Sequence, residues 1–152
     1  MSANGSKHDH FSNEMFAIGL KNRRKVVGDA YVDTALKNGS TEFAYPNQQL
    51  VTEYCWGNIW SRPGLTFQQR SLLNIGMLIG LKSWPELAIH IRGAINNGLT
   101  ELEIREAILQ SSIYCGVPAG IEATKTATRV INEMVANGEH TRQLSESLPH
   151  VQ

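Results

Sequence analysis

The sequence predicts an all-α protein, and three observations carry that prediction. Three segments open with a Ser or Thr followed three residues later by Glu or Gln: Thr66–Gln69, Ser83–Glu86 and Thr100–Glu103. In such a pair each side chain can satisfy an otherwise orphaned amide of a helix's first turn. Gly98, Gly116 and Gly138 stand where a left-handed residue would end a helix, and Pro118 suits the first turn of the next one. No run shows period-two alternation bounded by hairpin turns.

About six helices follow in order, near 22–37, 46–60, 67–81, 84–97, 101–115 and 118–137. In the second, Glu53, Trp56, Gly57 and Trp60 share one face at helical spacing. The third carries Leu72, Leu73, Ile75, Met77, Leu78, Ile79 and Leu81, apolar almost all round, so it is expected as the central buried helix. The fourth places Leu87, Ile91, Ala94 and Ile95 inward, with Arg92 and Asn96 facing away. The fifth places Ile104, Ala107, Ile108 and Ile113 inward, with a Glu101–Arg105 pair outside. Residues 1–13 read as a polar tail, 14–137 as a single helical domain, and 138–152 as a tail or an arm that orders against a neighbouring subunit.

The chain has 152 residues, 41% apolar and 18% charged, which suits one domain with a packed core. Fourteen basic residues balance fourteen acidic ones, so neither nucleic acid nor an anionic membrane is expected as a partner. The start has no apolar signal-like stretch, and LLNIGMLIGL (72–81) is too short to cross a bilayer; the expected compartment is the cytoplasm. Cys55 and Cys115 form no metal-ligand or redox spacing. His8 and His10 have no third ligand near them, so no metal is expected.

The residues with most chemistry are concentrated in the helices. Glu53 beside Trp56 and Trp60, with Arg62 just beyond, reads equally as packed core with an ion pair or as an aromatic pocket with an acid and a cation at its rim. Arg70 opens an apolar helix and needs an anion, either a structural one or a substrate carboxylate. Glu86 lies one helical turn before His90, where it would orient the imidazole and favour its protonated form. Tyr114 either donates into a pocket or packs at a helix end. Cys115 lies at the negative end of a helix dipole, so no reactive thiolate is expected there. Cys55 reads as a small packing residue.

Taken together, GDAYVD (28–33), EYCWGNIWSRPGL (53–65), RSLLNIGML (70–78) and residues 86–123 resemble the carboxymuconolactone decarboxylase family. The combination W-x-x-x-W-x-R-P-G-L, H-x-R-x-A and Y-C-G-x-P carries the resemblance, which runs from about residue 22 to about 135. It implies the alkylhydroperoxidase-D-like helical bundle, assembled as trimers or hexamers with sites near subunit contacts. The redox branch of that superfamily carries two cysteines that fall here on Ser83 and Glu86, so a disulfide relay is not expected at that position.

What the resemblance implies instead is decarboxylation of 4-carboxymuconolactone, in the protocatechuate arm of the 3-oxoadipate pathway. The rivals are another lactone or carbonyl acid, or a peroxidase-like antioxidant role. The lactone carries its own electron sink, so no cofactor is expected. The implied roles are His90 as proton donor oriented by Glu86, Glu53 as the alternative acid, and Arg62 and Arg70 as anion binders. Trp56, Trp60 and Tyr114 would form the pocket wall.

Overall fold

The computed structural model describes residues 13–148. Among them the chain forms α1 (Glu14–Val27), α2 (Asp29–Asn38), α3 (Tyr45–Leu50), a π-helix (Val51–Ile59), α4 (Phe67–Gly80), α5 (Trp84–Asn96), α6 (Glu101–Cys115) and α7 (Val117–Ala136), with no strand. The protein is all-α. The helices fall into two compact units that divide between Leu65 and Thr66.

In the N-terminal unit, Asn13 caps α1 by accepting from the Phe16 amide at 2.9 Å. The single helix expected over 22–37 is two helices, broken at Gly28, whose φ of 89° no helix tolerates. The helix expected over 46–60 also changes character. It starts as α3 with Pro46 in its first turn and widens into the π-helix, where the Trp60 amide bonds the Cys55 carbonyl five residues back at 3.0 Å. Asn22 of α1 donates to the Trp56 carbonyl at 2.8 Å and to Ser61 at 2.9 Å, stitching α1 to this segment.

The two are in backbone contact. A Cβ on Gly19 would lie 1.8 Å from the Thr52 carbonyl oxygen, and one on Gly57 would lie 2.6 Å from that of Met15. Only glycine lets α1 and the π-helix approach this closely.

The C-terminal unit packs α4 to α7 around Ile75, Ile79, Leu87, Ile91, Ala94, Leu99, Ile104 and Ile108, closed by a stripe on α7 of Ala119, Ala123, Ala127, Val130 and Met134. The capping boxes at Thr66–Gln69 and Thr100–Glu103 both form. The one expected at Ser83–Glu86 does not. Lys82 adopts a left-handed φ of 55° and the Ser83 amide bonds back to Leu78, leaving Ser83 at ψ 77° without a side-chain cap bond. Gly98, Gly116 and Gly138 all take the positive φ that their positions predicted.

Helix α4 is not buried all round: Ser71, Ile75 and Ile79 form its inner stripe, while Leu73, Met77 and Leu81 are exposed. Arg92 does not point away freely but pairs with Glu139. Ile113 is exposed rather than core.

The expected Glu101–Arg105 pair is absent. Arg105 pairs with Glu106 at 2.8 Å, and Glu101 is only 4% exposed. Its carboxylate accepts from His140 Nε2 at 2.8 Å and from the backbone amides of Gln143 at 3.1 Å and Leu144 at 2.9 Å. The segment after Gly138 is therefore pinned to α6 of its own chain.

Gly19→Ala should destabilise by at least the upper end of the ~1–3 kcal/mol typical of overpacking, because the obstructing atom is backbone. Gly76→Ala, where the new Cβ meets nothing closer than Ser111 Oγ at 3.9 Å, should instead stabilise α4 by about 0.5–1 kcal/mol. Urea denaturation of both variants checks this; equal effects would refute the close-contact account.

Candidate functional site

The N-terminal unit holds four of the sequence-predicted residues. Glu53, 9% exposed, is fixed by two neutral amides that donate to its Oε1, Asn13 Nδ2 at 3.1 Å and Gln49 Nε2 at 3.0 Å. Trp56 and Trp60 are buried and stacked on each other, ring centroids 4.9 Å apart at 26°. The expected common face is real, since Glu53, Trp56, Gly57 and Trp60 are all buried. Arg62 lies past the end of the π-helix and is exposed. Partial burial pushes the Cys55 thiol up against the opposing influence of Trp60 and Arg23, so this cysteine is held as the thiol.

A residue the sequence reading missed stands in the same unit. Arg23 of α1 is 5% exposed. Its Nη1 donates to Gln48 Oε1 at 2.9 Å and to Thr52 Oγ1 at 3.4 Å, and its Cζ lies 6.0 Å from the Tyr31 ring centroid. Within the run Lys21–Lys25 it looks like one more solvated charge. The available signal was its helical spacing from Gly19, Val26 and Val27, the other buried residues of α1.

The C-terminal unit holds the other four candidates. His90 of α5 does not rest on Glu86, which is exposed and forms no hydrogen bond or ion pair among the described residues. Without a side-chain cap at Ser83, and with its own side chain turned to solvent, Glu86 does not clasp the ring. Instead Asn74 of α4 faces His90 Nδ1 at 3.3 Å.

Burial lowers the His90 pKa to about 4, so the imidazole is neutral near pH 7, not protonated as the Glu86 pairing implied. An amide donating to Nδ1 leaves the ring proton on Nε2, where it is a hydrogen-bond donor. Arg70 is half-buried in the first turn of α4. Tyr114 is 83% exposed, so within one chain it walls no pocket.

A groove of about 910 Å³ runs along α6 and α7, lined by Ile104, Ile108, Leu109, Ile131, Val135 and Leu144 among others, and contains none of the sequence-predicted residues. Among the described residues no group of three or more His, Cys, Asp or Glu could hold a metal ion. His8 and His10 lie outside the described residues. No helix among the described residues is long and apolar enough to cross a membrane. Cys55 and Cys115 are both free thiols.

The model of the carboxymuconolactone decarboxylase family matches residues 46–129, from α3 to the middle of α7. The chain is 51% identical over 135 residues to a nitrosuccinic acid decarboxylase of Metarhizium robertsii, covering 89% of this chain and 94% of that protein. It is 38% identical over 121 residues to a 4-carboxymuconolactone decarboxylase of Acinetobacter baylyi, covering 80% and 90%. The chain belongs to the carboxymuconolactone decarboxylase family. It falls with the decarboxylating enzymes of that family.

The depressed pKa of His90 has a signature in stability. Above the ordinary value of 6.5 the ring is neutral in both folded and unfolded chains. As pH falls from there toward about 4, the unfolded chain takes up a proton that the folded one refuses, so stability declines across that window. Denaturant titrations at several pH values should show this decline, and His90→Gln should remove its share of the slope. Proton NMR that places His90 near 6.5 in the folded protein would contradict the assignment.

Proposed function

We propose that this protein decarboxylates a small dicarboxylic acid whose departing carboxylate sits beside an electron sink, with nitrosuccinate as the substrate of first choice. The observation that carries the reading is the 51% identity across nearly the whole of a nitrosuccinic acid decarboxylase. In nitrosuccinate one carboxylate shares a carbon with the nitro group. When that C–C bond breaks, carbon dioxide leaves and the electron pair passes onto the nitro oxygens as a nitronate. A proton then returns to the carbon, giving a nitropropanoate. No cofactor is required, because the substrate accepts the electrons itself.

The second reading is the lactone, favoured by the W-x-x-x-W-x-R-P-G-L motif and by 38% identity to a 4-carboxymuconolactone decarboxylase. There the pair passes through the ring double bond onto the lactone oxygen, and the chemistry demanded of the protein is the same.

His90 serves that chemistry as the proton donor. It is neutral in the free enzyme, but an arriving dicarboxylate brings negative charge that raises an imidazole pKa, so substrate binding itself favours proton uptake. Glu53 is the alternative acid. Arg62 and Arg70 are cations for substrate carboxylates, and Trp56 and Trp60 supply an apolar surface against which loss of charge is favoured. A homo-oligomer, trimer or hexamer, is part of the proposal. Leu73, Met77, Ile113, Tyr114 and Ile121 are large exposed side chains that a second copy would cover, and light scattering that returns a monomer would remove that part.

The deciding experiment supplies nitrosuccinate and 4-carboxymuconolactone separately and follows carbon dioxide release above the spontaneous rate. Turnover of nitrosuccinate is expected. Turnover of the lactone alone would select the second reading, and turnover of neither would overturn both. With the active substrate, His90→Gln should lower kcat on the order of 10²–10⁴-fold, while near-parental kcat in the folded variant would move the acid role to Glu53.

A further inference from the structure

We propose that Arg23 is a substrate-binding residue, a buried guanidinium in the N-terminal unit that receives a carboxylate of the dicarboxylic acid. The inference rests on the reading of this protein as a dicarboxylate decarboxylase and adds a residue that the family motifs did not single out.

The argument begins with charge. Arg23 is 5% exposed and has no acidic partner among the described residues. The two carboxylates that follow it in the sequence, Asp29 and Asp33, are taken by Arg24 at 3.1 and 2.7 Å. What Arg23 has instead are two neutral oxygens, of Gln48 and Thr52, both on the same Nη1, and the Tyr31 ring 6.0 Å from its Cζ. Its Nε is buried with no hydrogen-bond partner. A guanidinium is always charged and presents five donors in a planar fork. Buried cations are ordinarily paired with an anion, because neutral acceptors do not replace the solvation lost.

A purely structural role explains this poorly. If Arg23 only tied α1 to Gln48 and Thr52, a neutral amide side chain would make the same bonds without burying a charge. The unit does contain a buried carboxylate, Glu53, next in sequence to Thr52. Yet Glu53 is bonded by the neutral side chains of Asn13 and Gln49 and forms no ion pair with Arg23. The fold thus keeps a buried guanidinium and a buried carboxyl group in one small unit with no ion pair between them. A fork with a free Nε suits a carboxylate bound side-on, through two parallel N–H bonds. Gln48 and Thr52 hold Nη1 still, so the fork is pre-oriented before the ligand arrives.

Succinate is the probe, because it presents two carboxylates and no leaving-group activation. Isothermal titration of the parent with succinate should show binding. Arg23→Lys and Arg23→Gln, folded by circular dichroism, should lose at least tenfold in that affinity. With turned-over substrate, Arg23→Lys should raise KM tenfold or more and leave kcat within a few-fold, since lysine keeps the charge but not the fork.

Should the variants fail to fold, the assigned Nε–H resonance of Arg23 in the parent should shift on adding succinate. Folded variants that bind succinate like the parent, a parent that does not bind it, or an unmoved Nε–H resonance would each overturn the proposal. Loss of succinate binding in the variants of a protein that releases no carbon dioxide from nitrosuccinate would leave Arg23 standing and sink the proposed reaction instead.

Discussion

The backbone-to-backbone contact between α1 and the π-helix governs the N-terminal unit. Gly19 and Gly57 bring the two chains so close that an added Cβ would fall 1.8 and 2.6 Å from the facing carbonyl oxygens. Residues one helical turn away are drawn into the same interface. Arg23 follows Gly19 by four and Glu53 precedes Gly57 by four, so both are buried although neither is apolar. The widened π register belongs to the same arrangement. It alters which carbonyls are bonded within the helix, and the Trp56 carbonyl receives the side-chain amide of Asn22 from across the interface. Packing of this kind fixes side chains more firmly than loops do, and a binding constellation requires that firmness.

Much of the C-terminal unit was legible because its signals are local. The boxes at Thr66 and Thr100 need only residues three apart, and Gly98, Gly116 and Gly138 need only their own φ. Where a distant residue competes, local spacing misleads. Glu101 has Arg105 at the favoured separation, but the chain after Gly138 offers two amides and an imidazole, and a buried carboxylate gains more from three fixed donors than from one solvated cation. The box at Ser83 lost to a turn at Lys82 that left Ser83 at the wrong ψ.

His90 shows the same limit inside the candidate site. Spacing joined it to Glu86 and implied a protonated ring. The fold turns Glu86 to solvent, sets Asn74 of another helix at Nδ1 and partly buries the imidazole, reversing the expected protonation state. Sequence periodicity located the residue but not its charge, because charge depends on what tertiary packing removes from water. Arg23 was missed for a related reason. Four neighbouring residues in the run Lys21–Lys25 are polar or charged, and only knowledge that α1 starts at Glu14 reveals which of them faces inward.

Buried charges of both units separate structural from functional burial. Burial alone would push the Glu101 carboxyl up, but the amides of Leu144 and Gln143 and the His140 ring outweigh that, and its pKa is lowered. Every demand of that carboxylate is met inside the chain, and the result is a fastening for the segment after α7. Arg23 and Glu53 are as deeply placed yet are met only by neutral side chains, with one guanidinium nitrogen left over. A fold under selection for stability alone has an inexpensive remedy in apolar or amide replacements of similar size. Retaining a buried cation without an anion costs stability, and such costs concentrate where a ligand completes the interactions. A dicarboxylic acid would bring the anion that Arg23 lacks. Decarboxylation of such a substrate asks for a fixed cation of this kind, which holds the carboxylate that remains while the other one leaves.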